Sequence, residues 1–420
     1  MMTRGKKRNY QSIEAPMSNI PDDLIPDVLC RLPVKSLLRF RCVSKQWRAL
    51  IDSPNFINLH LNQSLRTNTN WSLISRRYSF QNLYCIGYQS LDDILKHGYH
   101  NVLPVKHEYP FLRLPHHFNI VGYCNGLMCL LSSTLSSIKA PILLNPSTKK
   151  HQILPPEPQI WSSYPVYGFG YDAVTDDYKI VRVSRFVGEG FGPEVVVFSS
   201  RLNKWRMSPH CVPHFLRHNF SGVFFNGALH WVATRQHESP LDNYSIYIVA
   251  FDLVVENFRE VKLPNHSDYE TVTLGVSGGC LWAGWIDDDN HVQLWVMKDY
   301  MVQESWTKRS LSFSSQVCKI LHRCRVRILA YSSSSSEVLV MEINNQLHWL
   351  DLKQHKVVHL DIPAYEKELF IASLVKLPCD RGNVILLRSN LWRRVHDNFS
   401  HRLRYEYMTL LCLFVVLCIG

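Results

Sequence analysis

Apolar residues near the start of the chain recur at the spacing of short amphipathic helices. Pro26 suits the first turn of a helix predicted over residues 27–32, and Pro33 ends it, because proline lacks the amide hydrogen that a helix interior needs. The next apolar positions predict two more short helices, with Ser44 capping the last. These positions are Leu37, Leu38, Cys42, Val43, Trp47, Leu50 and Ile51. So small a unit cannot bury all of these side chains, so we expect a partner protein to cover the surplus.

The charge of this helical segment indicates what kind of surface the partner protein should have. From Arg31 to Arg48 the sequence has six Lys or Arg residues and no Asp or Glu. A partner that covers the surplus apolar side chains is therefore expected to be apolar with an acidic rim.

The pattern changes at about Phe118. Helical spacing gives way to short β-branched and aromatic runs separated by Gly, Pro, Asn and Asp, which is typical of an all-β domain. Proline-ended steps recur at Pro155, Pro209, Pro264 and Pro363, at intervals of 54, 55 and 99 residues. A period of about 50 residues with several short strands is typical of kelch-type propeller blades. The repeats lie at 118–158, 168–209, 220–264, 273–313 and 326–363, with 71–115 as a possible irregular extra blade. We therefore expect about six blades.

Composition adds constraints on partner and compartment. With 420 residues, 46% of them hydrophobic, the chain is long enough for more than one domain. The net charge of +11 is spread along the chain apart from clusters at 4–8 and 388–404, so it does not by itself indicate nucleic-acid binding. Residues 1–19 hold no apolar signal-peptide core, so the 12 cysteines are expected to be mostly buried free thiols in a cytoplasmic or nuclear protein.

The last residues form a separate apolar run. Residues 409–420 read TLLCLFVVLCIG, which is shorter than the roughly 20 residues of a membrane-spanning helix. We therefore expect no membrane span. A final strand, a weak membrane contact and non-native sequence from an alternative transcript end all stay open as interpretations.

Patterns that suggest chemistry have simpler structural interpretations. Gly275–Gly279 matches G-x-S-x-G, but a predicted strand follows where hydrolases place a helix. Asp287–Asn290 lacks the glycine and bidentate glutamate of a calcium loop and suits a hairpin tip. No cysteine pair has zinc spacing. The tryptophans that hold fixed places in the repeats indicate blade cores; they are Trp205, Trp231, Trp282, Trp306 and Trp349. We expect no catalytic residue, no cofactor and no metal.

The helical segment resembles the F-box, in the plant form that reads Leu-Pro-Val-Lys-Ser-Leu-Leu-Arg-Phe and Cys-Val-Ser-Lys-x-Trp, here at 32–40 and 42–47. The resemblance implies docking on the Skp adaptor and, through it, a link to the cullin and RING subunits of a ubiquitin ligase. It also implies which residues face the adaptor or support the surface that does: Pro21, Leu24, Ile25, Leu29, Leu32, Pro33, Leu37, Val43 and Trp47.

The β repeats resemble the F-box-associated domain of plant F-box proteins, at 124–127, 145–148, 168–183, 225–233, 251–264 and 292–308. The implied fold is an α+β multidomain chain: a small N-terminal three-helix F-box, then an all-β, kelch-like propeller of about six blades. The expected units are a disordered basic N-terminus (1–17), the F-box (18–62), a connecting region or irregular first blade (63–117), the propeller-like domain (118–377) and a C-terminal extension with an apolar end (378–420).

The implied function is that of a non-catalytic substrate receptor, which binds an unknown target protein through the β domain and has no nucleic-acid partner. Loops at one propeller face are the expected target site, because loops on a rigid scaffold commonly carry binding. The candidate segments are 156–167, 184–193, 235–244 and 265–271, and their candidate hot-spot aromatics are Trp161, Tyr164, Phe186, Phe191 and Tyr269. The alternative is an F-box scaffold, or a glycan- or ligand-binding propeller, that acts outside ubiquitination.

Overall fold

The computed structural model describes residues 24–67, 70–76, 82–87, 105–108, 118–132, 140–158, 163–185, 194–210, 215–216, 221–235, 245–264, 272–287, 292–309, 326–332, 338–343, 346–351, 356–360 and 366–381. Within these ranges four helices precede the strands, and the strands form six antiparallel sheets. The predicted fold class, helices followed by an all-β propeller, is confirmed.

The helices are α1 (Ile25–Leu29), α2 (Val34–Phe40), α3 (Lys45–Ile51) and α4 (Pro54–Thr67). The strands of the first half are β1 (Trp71–Arg76), β2 (Asn82–Gly87), β3 (Val105–Glu108), β4 (Phe118–Cys124), β5 (Leu127–Ser132), β6 (Ile142–Asn145), β7 (Lys150–Ile153), β8 (Ser163–Asp172), β9 (Asp177–Arg185), β10 (Glu194–Ser199), β11 (Lys204–Met207) and β12 (Phe215–Leu216). Those of the second half are β13 (Val223–Phe225), β14 (Ala228–Arg235), β15 (Ser245–Asp252), β16 (Phe258–Lys262), β17 (Thr273–Ser277), β18 (Cys280–Ile286), β19 (Val292–Met297), β20 (Trp306–Arg309), β21 (Val326–Ser332), β22 (Val338–Ile343), β23 (Gln346–Asp351), β24 (Lys356–Leu360) and β25 (Glu366–Ile371).

The helical unit differs from the sequence prediction at its start and its end. The helix predicted over 27–32 is wrong by a few residues: α1 ends at Leu29, and a tighter turn, with Leu32 N–H donating to the Leu29 carbonyl, leads to Pro33. Proline disfavours helical geometry in the residue before it, so Pro33 instead becomes the N-cap residue of α2. Ser44 caps α3 as predicted, accepting the Trp47 amide at 3.1 Å. The fourth helix, α4, is an element that the sequence analysis missed.

The sheets follow one another along the chain as blades. Blade 1 has the strand order β25-β1-β2-β3, blade 2 comprises β4–β7, blade 3 β8–β11, blade 4 β12–β16, blade 5 β17–β20 and blade 6 β21–β24. In blade 4 the inner strand is split into β12 and β13, and both pairs with β14 are antiparallel. The innermost strands touch around the ring, β4 against β8, β17 against β21, and β25 against both β21 and β4. The ring is therefore closed.

Closure joins the two ends of the propeller sequence. Strand β25 pairs antiparallel with β1, from Trp71 opposite Ile371 to Arg76 opposite Glu366. Blade 1 therefore combines strands that are about 300 residues apart in the sequence. Its strands β1–β3 come from the region 63–117, which was expected to be a connecting region or irregular first blade. Closing a ring in this way leaves no exposed blade edge between the first and last repeats.

The connections divide the ring into two faces. Because successive strands are antiparallel, the turns between first and second strands and between third and fourth strands lie on one face, which we call the turn face. The strand ends that flank the remaining connections, within and between blades, lie on the opposite face, which we call the crossover face. The turns of blades 2 to 5 are short, whereas most of the gaps in the described ranges fall between strand ends of the crossover face.

A single turn geometry recurs on the turn face. An Asn or Asp side chain at the end of a strand accepts hydrogen bonds from the amides two and three residues further on. The acceptors are Asn145 (2.9 and 3.2 Å), Asp172 (2.9 and 3.2 Å) and Asp252 (2.8 and 3.2 Å). Four residues after each acceptor the backbone is left-handed, at Lys149 (φ 60°), Asp176 (φ 51°) and Glu256 (φ 56°). Asp172 and Asp176 thus both serve the β8–β9 turn.

Tryptophans fill the spaces between blades, and glycines make room for them. Trp231 and Trp282 are almost fully buried, and Trp231 Nε1 donates to the Tyr167 carbonyl at 3.1 Å. A Cβ on Gly222 would lie 2.6 Å from the Trp231 ring, and one on Gly275 would lie 2.1 Å from the Trp282 ring. The predicted blade-core role is confirmed for these two and for buried Trp306. Trp205 is only partly buried, and the side chain of Trp349 lies outside the described residues.

Residues 372–381, which follow β25, form a strap across the turn face of blade 2. Asn145 Nδ2 donates to the carbonyls of Ser373 (3.1 Å) and Val375 (2.8 Å). Ser373 Oγ donates to the Asn125 carbonyl at 2.7 Å, and Lys150 pairs with Asp380 at 2.9 Å. The strap therefore fastens the closing strand to the neighbouring blade.

We predict that Asn145→Asp destabilises the chain by about 2–4 kcal/mol at pH 7. The carboxylate keeps the two turn bonds but places negative charge against the Ser373 and Val375 carbonyls. Asp252→Asn is the matched control, because its side chain keeps the same turn bonds in blade 4, which has no strap. Urea unfolding followed by tryptophan fluorescence measures both variants, and equal midpoints would contradict the strap's contribution.

We also predict an acid-sensitive step from His230. Its Nδ1 lies 3.0 Å from the Val223 carbonyl and its Nε2 lies 2.9 Å from Tyr300 Oη, and burial lowers the pKa of this imidazole from 6.5 to about 4. The unfolded chain therefore binds a proton more readily, so stability is retained above pH 6.5 and falls by about 3 kcal/mol on going down to pH 4. Urea unfolding at pH 7 and pH 5 should show a smaller loss in His230→Gln than in wild type; equal losses would refute the assignment.

Candidate adaptor interface and target face

Helix α1 carries apolar side chains on two faces. Ile25 and Leu29 pack into the buried cluster of the helical unit, with Leu29 only 2% exposed. Leu24 and Val28, one position earlier in the helical repeat, are 50% and 54% exposed. The outward pair is not needed for the core, so it is the surplus that the sequence predicts a partner to cover.

Another exposed apolar side chain lies between α2 and α3. Val43 is 63% exposed, and Pro33 is exposed at the start of α2. Leu32 and Trp47 are partly buried, and Trp47 packs edge-on against Phe40 with ring centroids 5.6 Å apart. Leu37 is fully buried. The candidates therefore fall into an exposed group (Leu24, Pro33, Val43) and a supporting group (Ile25, Leu29, Leu32, Leu37, Trp47), while Pro21 lies outside the described residues.

The same segment of the chain also carries exposed basic side chains. Five of the six Lys and Arg residues of this segment are exposed: Arg31, Lys35, Arg39, Lys45 and Arg48. The sixth, Arg41, pairs with Asp52 at 2.8 Å and ties the end of α2 to the end of α3. The surface thus combines apolar contacts with positive charge, which complements an acidic partner.

Helix α4 and the strap hold the helical unit against the turn face. His60 of α4 is buried and its Nε2 lies 3.0 Å from the Leu32 carbonyl, which fixes α4 to the α1–α2 turn. Asn70, directly before β1, donates to Ser64 Oγ of α4 at 2.8 Å and accepts the Ala372 amide at 2.8 Å. One buried apolar cluster includes Leu29 and Leu37 together with Leu374 and Leu377 of the strap.

The strand ends that flank the candidate target segments 156–167, 184–193, 235–244 and 265–271 all lie on the crossover face. Trp161, Phe186, Phe191 and Tyr269 lie outside the described residues; Tyr164 lies in β8, although its side chain lies outside them too. The F-box and the strand ends that flank these segments are therefore on opposite sides of the ring.

Buried polar groups anchor the crossover connection that links blades 2 and 3. Tyr167 Oη donates to Glu157 Oε2 at 2.9 Å, and Arg182 Nη1 lies 3.6 Å from the same oxygen. Burial and the neighbouring Glu157 carboxylate raise the pKa of Tyr167, so the phenol stays protonated and donating. Trp205 Nε1 donates to the Pro155 carbonyl at 3.0 Å. The connection leaves blade 2 along a fixed path.

Several buried ionisable groups have packing or hydrogen-bonding partners within the propeller. Lys179 lies 3.1 Å from Asp172 and 3.3 Å from Glu256 of the next blade. Burial would raise the pKa of Asp172, but hydrogen bonds from Thr175 and Lys179 outweigh it and hold the pKa below its usual value. Burial raises the pKa of Cys124 and Cys129, so these thiols stay protonated.

Other patterns found in the sequence also have structural explanations. Gly275–Gly279 forms the end of β17 and a hairpin turn into β18, with Gly278 and Gly279 at positive φ, so the interpretation as a strand-entry turn is confirmed. Within the described ranges, no group of three or more His, Cys, Asp or Glu side chains is placed to hold a metal ion. None of the four described helices is long and apolar enough to cross a membrane. The run at 409–420 lies outside the described residues.

Comparison with known proteins identifies both parts of the chain. Residues 90–377 match the family described as the F-box associated beta propeller domain, and residues 17–59 match the F-box domain. The chain belongs to the F-box proteins with an F-box-associated propeller. It is 33% identical over 393 residues to F-box protein CPR1 of Arabidopsis thaliana, covering 86% of this chain and 89% of the relative.

Two further relatives come from the same plant. F-box protein At4g22390 of Arabidopsis thaliana is 29% identical over 389 residues, covering 86% of this chain and 90% of the relative. F-box/kelch-repeat protein At3g23880 of Arabidopsis thaliana is 29% identical over 300 residues, covering 69% of this chain and 78% of the relative. The F-box is an adaptor-binding module, and the residues matched to it in this chain include α1–α3 and the first turn of α4.

Sequence reasoning missed two features of this F-box protein's surface. Val28 was not among the candidates, although it is more exposed than Leu24. Its spacing of four residues from Leu24 is the signal that would have found it. Helix α4 was missed because its polar residues weaken the apolar pattern between Phe56 and Leu65.

We predict that substitutions by aspartate separate core from surface in the F-box. Leu37→Asp places a charge in a fully buried site and should destabilise the F-box by about 3–5 kcal/mol. Val43→Asp, at a site 63% exposed, should change stability by less than about 1 kcal/mol. Circular dichroism during urea unfolding of the full chain reads both variants. Equal losses of helical signal would show that Val43 belongs to the core.

Proposed function

We propose that the chain is the substrate-recognition subunit of a Skp-cullin-F-box ubiquitin ligase. The F-box docks on the Skp adaptor, which links it to the cullin and RING subunits, and the propeller holds a target protein. The chain itself is non-catalytic, and it accelerates transfer by raising the local concentration of the target near the ubiquitin-loaded subunit. The protein works in the cytoplasm, the nucleus or both.

The observation that carries this proposal is the outward apolar set of the F-box. Leu24, Val28 and Val43 are half or more exposed, and the same helical segment carries five exposed basic side chains. The supporting group, with Leu29 and Leu37 at its centre, keeps that surface in shape. Burying such a set on a partner removes apolar area from water, while the basic rim steers an acidic partner into place.

The target site proposed for the receptor is the crossover face. The strap and α4 support the F-box from the turn face, so the crossover face stays free of these contacts. Trp161, Tyr164, Phe186, Phe191 and Tyr269 belong to its segments and supply aromatic hot-spot chemistry. Buried Glu157 and Arg182 hold the base of the segment that carries Trp161.

We predict that a Leu24→Asp, Val43→Asp double variant of the full chain loses adaptor binding, weakening it by about 100-fold or more. Both sites are exposed, so the fold should be retained. Met207→Asp is the matched control, because Met207 is 64% exposed and lies on an outer propeller strand. Biolayer interferometry with a recombinant plant Skp adaptor measures all three proteins. No binding by wild type, or undiminished binding by the double variant, would overturn the proposal.

A second measurement distinguishes a receptor from a scaffold or a ligand-binding propeller outside ubiquitination. Wild type and the double variant are expressed in plant cells, and co-purified proteins are compared with and without proteasome inhibition. For a receptor, a protein bound by both should be ubiquitinated and short-lived only with wild type, and its capture should weaken in Trp161→Ala. A bound protein with the same lifetime in both lines would favour the scaffold.

A further inference from the structure

The turn face carries exposed apolar side chains that the fold does not require. They stand at the tips of turns in blades 3, 4 and 5 and are Val174, Leu202, Val254, Val255 and Val302. The turn bonds at these sites come from Asp172, Ser199 and Asp252 side chains and from the backbone. The equivalent turn of blade 2 has Pro146, Ser147 and Thr148 at its tip. The apolar tips are therefore a feature of the surface and not a condition of the turn.

The chemistry of these tips matches that of the F-box surface. Leu202 is 55% exposed and is flanked by exposed Arg201 and Lys204. Val255 is 59% exposed, and Arg259 lies on the following strand, 3.7 Å from Asp252. The blade 5 tip is mixed, because Lys298 is accompanied by exposed Asp299 and Glu304. Blade 3 thus combines an exposed apolar tip with neighbouring cations, as the F-box segment does, and blade 4 combines its apolar tip with a cation that pairs with Asp252 of the same turn.

The two surfaces share one face and one underlying core. The cluster that contains Leu29 of the F-box and Leu377 of the strap also contains Phe198 of blade 3, against which Trp205 packs at 5.3 Å between ring centroids. Phe198 and Trp205 lie on the two strands joined by the turn of Leu202. The packed layer beneath the F-box therefore continues to the strands that carry the first apolar tip.

We propose that the tips of blades 3 and 4, centred on Leu202 and Val255, form a second contact for the adaptor that docks on the F-box. This inference rests on the proposed function. An adaptor that is apolar with an acidic rim suits both surfaces, and it is held on the turn face by the F-box itself. The propeller then contributes to adaptor affinity as well as to target binding, and the ring is fixed to the adaptor at two points.

The test is the adaptor affinity of the full chain, measured by interferometry for wild type, a Leu202→Asp, Val255→Asp double variant and Met207→Asp. Met207 lies at the end of β11 away from the Leu202 turn, so it controls for an added charge on an exposed apolar site of the same blade. We expect about tenfold weaker binding in the double variant and no change in the control. An Arg201→Glu, Lys204→Glu variant should bind more weakly as well, with a shallower dependence on salt.

Each outcome decides between named alternatives. If wild type binds and Val43→Asp abolishes binding, but the Leu202→Asp, Val255→Asp variant binds within about twofold of wild type, the second contact is refuted and the proposed function stands. If wild type does not bind the adaptor, both fail. Analytical ultracentrifugation provides the other check: a wild-type dimer that the double variant abolishes would assign these tips to a second copy of the chain and overturn the proposal.

Discussion

The closed architecture depends on the hydrogen bonds of the Asn145 side chain, which connect the strap to blade 2. Its oxygen accepts two amides that shape the blade 2 turn, and its nitrogen donates to two carbonyls of the strap. The side chain is fully buried, so each of these four bonds is made where water cannot replace it. Asparagine alone among the residues used at these turns offers both the acceptor and the donors. The same amide group thus supports the closure of the ring and, through the strap, the position of the F-box.

The polar groups around the Asn145 amide connect the β ring to the helical unit. Asn70 joins α4 to the strap, Ser373 joins the strap to the β4–β5 turn, and Lys150 pairs with Asp380 at its end. The exposed ion pair adds little by itself, since such pairs are worth about 0–1 kcal/mol. The buried apolar residues Leu374 and Leu377 supply the larger share. The F-box is thereby held by packing, and its orientation is set by hydrogen bonds.

Periodicity accounts for how much of this structure could be read from the sequence. A repeat near 50 residues predicted the blades, and Trp231 and Trp282 predicted their cores, because each repeat solves the same packing problem. The strap was beyond sequence reasoning, since the partners Asn145 and Ser373 are more than 200 residues apart and no repeat pattern links them. Only part of the candidate adaptor interface could be predicted from the sequence. Leu24 and Val43 follow from the F-box resemblance, whereas the exposed and supporting roles of Val43 and Leu37 depend on tertiary packing.

The position of β25 late in the chain sets the order in which the parts of the fold can form. The F-box helices are made first, whereas the innermost strand of blade 1 and the strap that packs against the F-box come from residues 366–381, after all other described strands. Long-range pairing of this kind is slow to form because its loop must close first. A nascent chain therefore has its F-box helices synthesised well before its ring can close. Any product cut short before Glu366 would carry the F-box without the strand and the strap that close the propeller.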